Sequence, residues 1–241
     1  MLVKLDAIDS TNDFLKELVR GQNVENFTVV SAENQTSGKG QMGSVWVSEK
    51  DKNVIMSVLV KDFLFDSKAI FNLNIVVSLA VFQCLKQLNI PDLSIKWPND
   101  IMSGDKKIGG ILIENSFKSD ESIFSVAGIG LNVNQTDFDL LPHASSLAAI
   151  MHQEFDKEAL LIAIVENIKE ITNSWKRSKA VLRQQYIDSL FKKNQLMSFQ
   201  IWDQTEFIGK VNGISAEGKL EILSDDHLLL YFDIKEIQML Y

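Results

Sequence analysis

The chain has 241 residues, 46% of them hydrophobic and only 3 of them proline, the make-up of a globular protein large enough to bury a sizeable core. Its formal net charge of -8 argues against a general electrostatic grip on nucleic acid or anionic lipid, which needs Lys and Arg in surplus on one face. Cys84 is the single cysteine, so an intrachain disulfide and a CxxC metal or redox motif are both excluded.

A lone cysteine in an apolar run reads as core, and disulfide-free usage points to a reducing, cytoplasmic setting. The N-terminus lacks a basic segment followed by an apolar one, and the stretch 70–88 is interrupted by Asn72, Asn74, Gln83, Lys86 and Gln87. Neither export nor a membrane span is expected.

Taken in chain order, Asp9-Ser10-Thr11-Asn12-Asp13 is a helix start, because short polar side chains accept the unpaired first N–H groups. The pairs Phe14/Leu18 and Leu15/Val19 then share a face, and Gly21 ends the helix. Residues 28–32 and 54–60 are β-rich, and the polar, glycine-containing segment 33–53 between them is too long for a hairpin turn. A helix is expected over 67–88, then a short strand over 93–96 after Pro91. Runs 108–113 and 123–134 read as neighbouring strands, and 156–191 turns helical in two stripes, read as two helices: Leu160, Ile164, Ile168, Ile171, then Leu182, Tyr186, Leu190. From residue 194 the chain breaks into strands over 196–202, 207–214, 219–223 and 228–232, split by Asn212-Gly213, Glu217-Gly218 and Asp225-Asp226. The expected class is α+β: a mixed sheet flanked by helices over 1–193 and a small β-barrel-like unit over 194–241.

Four segments carry chemistry. In Gln35-Thr36-Ser37-Gly38-Lys39-Gly40-Gln41-Met42-Gly43-Ser44-Val45-Trp46, glycines let backbone N–H groups approach an anion and Lys39 adds charge. The run leads toward a strand rather than a helix, against a dinucleotide fingerprint, and lacks the Gly-Lys-Ser/Thr of a Walker loop. A flexible surface loop is the alternative. In Lys96-Trp97-Pro98-Asn99-Asp100, Pro98 constrains the strand end, so that Asn99 and Asp100 could meet a nucleotide or a hard cation, or simply cap a turn. In Lys106-Lys107-Ile108-Gly109-Gly110-Ile111-Leu112-Ile113-Glu114, a lysine at the mouth of an apolar strand can face a carboxylate or phosphate, with glycines leaving room beside it. Glycines within the strand Ala127-Gly128-Ile129-Gly130-Leu131-Asn132-Val133-Asn134 mark a bulge or something packed close, a strand or a small molecule.

Together, and preceded by Ser10-Thr11-Asn12, these segments closely resemble the biotin–protein ligase family over essentially the whole chain. The resemblance implies a catalytic domain like that of class II synthetases and biotinyl/lipoyl ligases, an SH3-like β-barrel after it, and biotin, ATP and Mg²⁺ as ligands. It implies that Ser10, Thr11, Asn12, Gln35, Gly38, Lys39, Gly40, Gln41, Gly128 and Ile129 bind biotin, and that Lys107 binds its carboxylate. Lys107 and Lys39 become the catalytic cations, Asp100 the metal ligand, and Asn99, Asn132 and Trp46 the nucleotide contacts. The implied partner is a biotin carboxyl carrier domain; nucleic acid and membrane are not expected partners, and monomer and homodimer both remain open. One departure is that Lys39 is the only cation from Gly38 to Trp46, where the family loop commonly has several. The Ser10 motif begins so early that the DNA-binding domain some members carry is not expected ahead of it. Lipoate or octanoyl transfer on the same fold, and a biotin-responsive module without chemistry, are the competing readings.

Overall fold

Seven strands whose side chains alternate between two apolar layers form the central sheet: β1 (Leu2–Ile8), β2 (Val29–Gln35), β3 (Val54–Lys61), β4 (Leu93–Lys96), β5 (Asp100–Ser103), β6 (Lys106–Phe117) and β7 (Ile123–Leu131). The computed structural model describes residues 1–64, 70–117, 123–138 and 141–241. Strand order is β1-β2-β3-β7-β6-β5-β4. Only β1 and β2 pair in parallel, and the helix α1 (Thr11–Gly21) makes their crossover; the remaining pairs are antiparallel. The mixed α+β class expected from the sequence is the one observed.

One layer is thin. α1 buries Leu15 and Val19 against Val30, Leu59, Phe124 and Val126. On the opposite face lie α2 (Ile70–Gln87) and α4 (Lys157–Asp188), which bury Leu73, Val77 and Leu85 with Ile164, Ile168 and Tyr186 over Val58, Ile111 and Ala127. α2 is long and apolar enough by composition to cross a membrane, yet its apolar residues are buried on several sides within this layer. Burial pushes the Cys84 thiol up to about 11, so it is a core group and not a nucleophile.

Several elements differ from expectation. The start of α2 proposed at residues 67–69 lies outside the described residues. Within 156–191 there is one helix of 32 residues, Lys157–Asp188, instead of two, because the first stripe and Leu182 and Tyr186 of the second fall on buried faces of a continuous helix begun by the Asp156 cap, while Leu190 lies past its end, bridged to Ile95. A short helix α3 (Leu147–Met151), capped by Ser146, was not anticipated, nor were β1, β5 and the final strand. The small unit holds β8 (Leu196–Ile201), β9 (Glu206–Ile214), β10 (Leu220–Ser224), β11 (Leu229–Phe232) and β12 (Ile237–Leu240) in one antiparallel sheet of order β11-β10-β9-β8-β12.

Three elements clamp the turn between β4 and β5. Trp97 Nε1 donates to the carbonyl of Gly218 in the small unit at 2.9 Å. The Pro98 carbonyl accepts from Asn74 of α2 at 2.5 Å and from the Tyr186 hydroxyl of α4 at 3.0 Å. Tyr186 has no exposed surface, and burial raises its pKa, Arg183 opposing only in part. Tyr186→Phe should therefore cost about 1 kcal/mol, read as a lowered denaturant midpoint with an unchanged slope, since the carbonyl keeps Asn74.

Candidate active site

Register across the sheet places the motif residues in rows. Directly opposed residues on antiparallel strands share a face. Ile55, Gly130, Gly110, Asp100 and Lys96 are consecutive partners from β3 to β4. Ser57, Gly128 and Leu112 form the next row, and Leu59, Val126 and Glu114 the one after. Val126, Leu59 and Phe124 pack under α1, so this is the thin layer's face. Along β7 the side chains on it run Phe124, Val126, Gly128, Gly130: where α1 begins, the apolar covering stops and a bare glycine floor is left.

The N-terminus of α1 stands on that floor. Ser10 caps the helix, its Oγ accepting from Asp13 N at 3.4 Å, and Ser10, Thr11 and Asn12 are each only 3% exposed. Gln35 Oε1 accepts from the Thr11 N–H at 2.9 Å and lies 3.1 Å from its hydroxyl. Ser57 Oγ is 2.8 Å from Thr11 Oγ1 and 2.5 Å from Asn12 Oδ1, and Asn12 Nδ2 donates to Glu114 at 2.8 Å. A Cβ on Gly128 would stand 2.5 Å from Asn12 Oδ1, which is the reason for glycine there.

The loop after β2 folds back as a small hairpin. Lys39 and Val45 form an antiparallel bridge, Trp46 N donates to the Gly38 carbonyl at 2.9 Å, and Gly40 N donates to the Ser44 carbonyl at 2.7 Å. The Trp46 indole thereby lies on the floor: a Cβ on Gly130 would be 2.5 Å from it and one on Gly110 3.2 Å. Its Nε1 is buried with no hydrogen-bond partner among the described residues, and the Lys107 ammonium sits 5.7 Å from the ring centroid. The cleft enclosed by Ser10, Gln35, Lys39, Trp46, Lys107 and Gly128 has a volume of only about 50 Å³. Ligand pockets run to roughly 300–1,000 Å³, so a ligand enters only when the indole shifts.

Lys107 and Asp100 form an ion pair of 2.6 Å at the far end. Both also line a second cavity of about 390 Å³, walled by Lys96, Pro142 and His143 and, from β12, by Gln238, Met239 and Tyr241. Lys96 donates to the Tyr241 hydroxyl at 2.9 Å. Lys107 thus lies at the junction of the two cavities, with Asp100 beside it in the larger one.

The residues singled out in the sequence meet unevenly. Ser10, Thr11, Asn12, Gln35, Lys39, Gly40, Gln41, Trp46, Asn99, Lys107, Gly128 and Ile129 line the smaller cleft. Gly38 does not; it supports the loop against the Trp46 carbonyl. Asn99 lines the cleft with its amide committed to the Ile111 carbonyl at 2.5 Å. Asn132 lies outside both cavities, donating to the Ser145 carbonyl at 3.0 Å. Ser57, Glu114, Asp13 and Lys16 were not singled out for the site. Ser57 in an apolar strand could have been noticed, since a buried hydroxyl needs a partner.

Asp13 links the loop to α1: its carboxylate meets Lys39 at 2.5 Å and Lys16 at 2.8 Å, and Lys16 meets Glu114 at 2.7 Å. Desolvation raises the Asp13 pKa, but the hydrogen bonds and charges of Lys16 and Lys39 outweigh it, leaving it below the ordinary 3.8.

Residues 5–134, more than half of the chain, match the model of the Biotin/lipoate A/B protein ligase family, and the chain belongs to that family. A biotin--[acetyl-CoA-carboxylase] ligase of Mycobacterium tuberculosis is 26% identical over 215 residues, 88% of this chain and 79% of that protein. The bifunctional ligase/repressor BirA of Bacillus subtilis is 30% identical over 167 residues, 69% of this chain, which spans about half (51%) of that relative's length. Among solved structures, the biotin protein ligase of Aquifex aeolicus in complex with biotin and ATP superimposes with a TM-score of 0.81 at 25% identity, covering 99% of this chain and 97% of that one.

Gly128→Ala should destabilise by about 1–3 kcal/mol through overpacking against Asn12, whereas Gly21→Ala, which meets open space, should change stability by no more than about 0.5 kcal/mol; paired urea titrations read both. Because the folded Asp13 pKa is depressed, its stabilisation is present above 3.8 and lost as pH falls through the lower folded value. The stability gap between wild type and Asp13→Asn should accordingly be open at neutral pH and close in acid below 3.8.

Proposed function

We propose that the chain activates biotin with ATP and transfers it to a lysine of a biotin carboxyl carrier domain. The observation that carries this reading is the cleft's asymmetry: a hydrogen-bonding cluster of Ser10, Thr11, Asn12, Gln35 and Ser57 on a glycine floor at one end, and Lys107 at the other. A bicyclic urea with a carboxylate tail has this polarity. The dithiolane of lipoate offers nothing for the polar cluster to bond, and leaving such groups unmatched is costly.

In the first step a biotin carboxylate oxygen attacks the α-phosphorus of ATP and pyrophosphate departs. Lys107 neutralises charge that gathers between the two reactants. In the second, the acceptor lysine amine attacks the acyl carbon of the mixed anhydride, and AMP leaves carrying the electron pair. The larger cavity at Lys107, with Lys96 and His143 on its wall, suits the nucleotide's polyphosphate. Among the described residues Asp100 is the one carboxylate lining it, which fits an Mg²⁺ ion held chiefly by substrate phosphates. Such an ion, when bound, would offset phosphate charge. Gly40, Gln41 and Trp46 cover the cleft and exclude water from the anhydride.

Biotin-dependent exchange of pyrophosphate into ATP tests the reading. Exchange with biotin and none with lipoate is expected, and the reverse would overturn it. Lys107→Ala should slow exchange by about a hundredfold or more in a folded protein, and near-normal kinetics would remove that residue from the chemistry.

A further inference from the structure

The polar end of the cleft depends on one amide. Asn12 is 3% exposed and wedged between the bare Gly128 backbone and the carboxylate of Glu114. A side-chain amide has a donor end and an acceptor end of nearly equal shape, so only its neighbours decide which way it faces. On one side Nδ2 donates to Glu114 Oε2 at 2.8 Å, with the Leu112 carbonyl a further acceptor at 3.4 Å. On the other, Oδ1 lies 2.5 Å from Ser57 Oγ. Reversing the amide would set oxygen against a carboxylate and a carbonyl.

The neighbours propagate this orientation. Asn12 Oδ1 has no hydrogen, so the Ser57 proton is the one shared between them, and Ser57 Oγ then meets Thr11 Oγ1, 2.8 Å away, as an acceptor. Thr11 in turn holds Gln35 Oε1 through its backbone N–H at 2.9 Å, with its hydroxyl 3.1 Å away, so the Gln35 amide nitrogen is turned away from Thr11. Among the described residues Glu114 is the one ionised group that touches this chain of bonds, and it stands on β6 one row beyond Leu112, with Lys16 holding its other oxygen at 2.7 Å. A charged acceptor is the strongest orienting partner in the set.

We propose that Glu114 is a positioning residue for ring recognition: by holding Asn12 Nδ2 it sets which groups at the polar end of the cleft donate and which accept. It does not line the cleft itself. The inference rests on the reading that the cleft takes the bicyclic urea of biotin, and it gives the discrimination of that ring a specific origin.

The test compares Glu114→Leu, Glu114→Gln and Lys16→Met in pyrophosphate exchange. Glu114→Leu should raise the KM for biotin about tenfold or more, with kcat and the KM for ATP within about twofold. Glu114→Gln, which keeps an acceptor for Asn12, should restore most of that loss. Lys16→Met, which leaves the Asn12 bond in place, should not reproduce it. 2-Iminobiotin, whose ring carries a donor where biotin carries the urea oxygen, adds a readout that a merely structural role would not move: the preference for biotin over it should narrow in Glu114→Leu. Should Glu114→Leu not fold, Glu114→Met takes its place. An unchanged biotin KM, an unchanged preference, a Lys16→Met effect equal to that of Glu114→Leu, or parallel losses in kcat and both KM values would each overturn the proposal. Wild-type protein with no biotin-dependent exchange would overturn the parent reading and this one with it, whereas an active wild type with an indifferent Glu114→Leu would overturn this one alone.

Discussion

A sheet face without side chains is the constraint on which the rest depends. Gly110 and Gly130 oppose one another on β6 and β7, and Gly128 sits on the next row. Leaving out three Cβ atoms at the centre of a sheet forgoes apolar contacts and costs stability. It also opens a place where a helix start, an indole and a lysine all approach the same backbone. The thick layer of α2 and α4 on the opposite face supplies the buried area that offsets this loss. One face is covered throughout, and the other is covered by α1 at one end and left without side chains at Gly110, Gly128 and Gly130.

Much of this was legible in the residues. Ser10-Thr11-Asn12 announces a helix start because capping chemistry is local, and glycines in an apolar strand announce a bulge or a close approach because a missing side chain forgoes packing. The pairing of residues 108–113 with 123–134 followed from their patterns and spacing. The row register was not legible, since it depends on which strands lie side by side. Glu114 and Ser57 therefore looked like ordinary strand residues, although their partners come from α1 about 100 and 45 positions away. The role the resemblance implies for Asn132 was not legible from its neighbours in the chain either: its amide donates to the Ser145 carbonyl, 13 positions on. The two stripes of α4 hid a single helix because its buried face changes partners along its length, which a break in periodicity imitates.

The small β unit is joined to the site by polar contacts at several points. Gly218 receives Trp97, β12 walls the larger cavity with Met239 and Tyr241, and Lys235 Nζ donates to the Met42 carbonyl at the loop tip at 3.0 Å. The unit thus touches the turn that leads to Asp100, the larger cavity and the covering loop. A change in its seating would be felt at all three.

Trp46, finally, makes the protein its own competitor. With the indole on the glycine floor the cleft is filled, so only the fraction of molecules with the loop displaced can accept a ligand. An observed affinity is then the intrinsic one scaled by that fraction. Loosening the indole's seat would make a ligand bind tighter in appearance, while opening the same cleft to water. Affinity and retention are set against each other by one side chain, and tight binding is not by itself the measure of a well-adapted cleft.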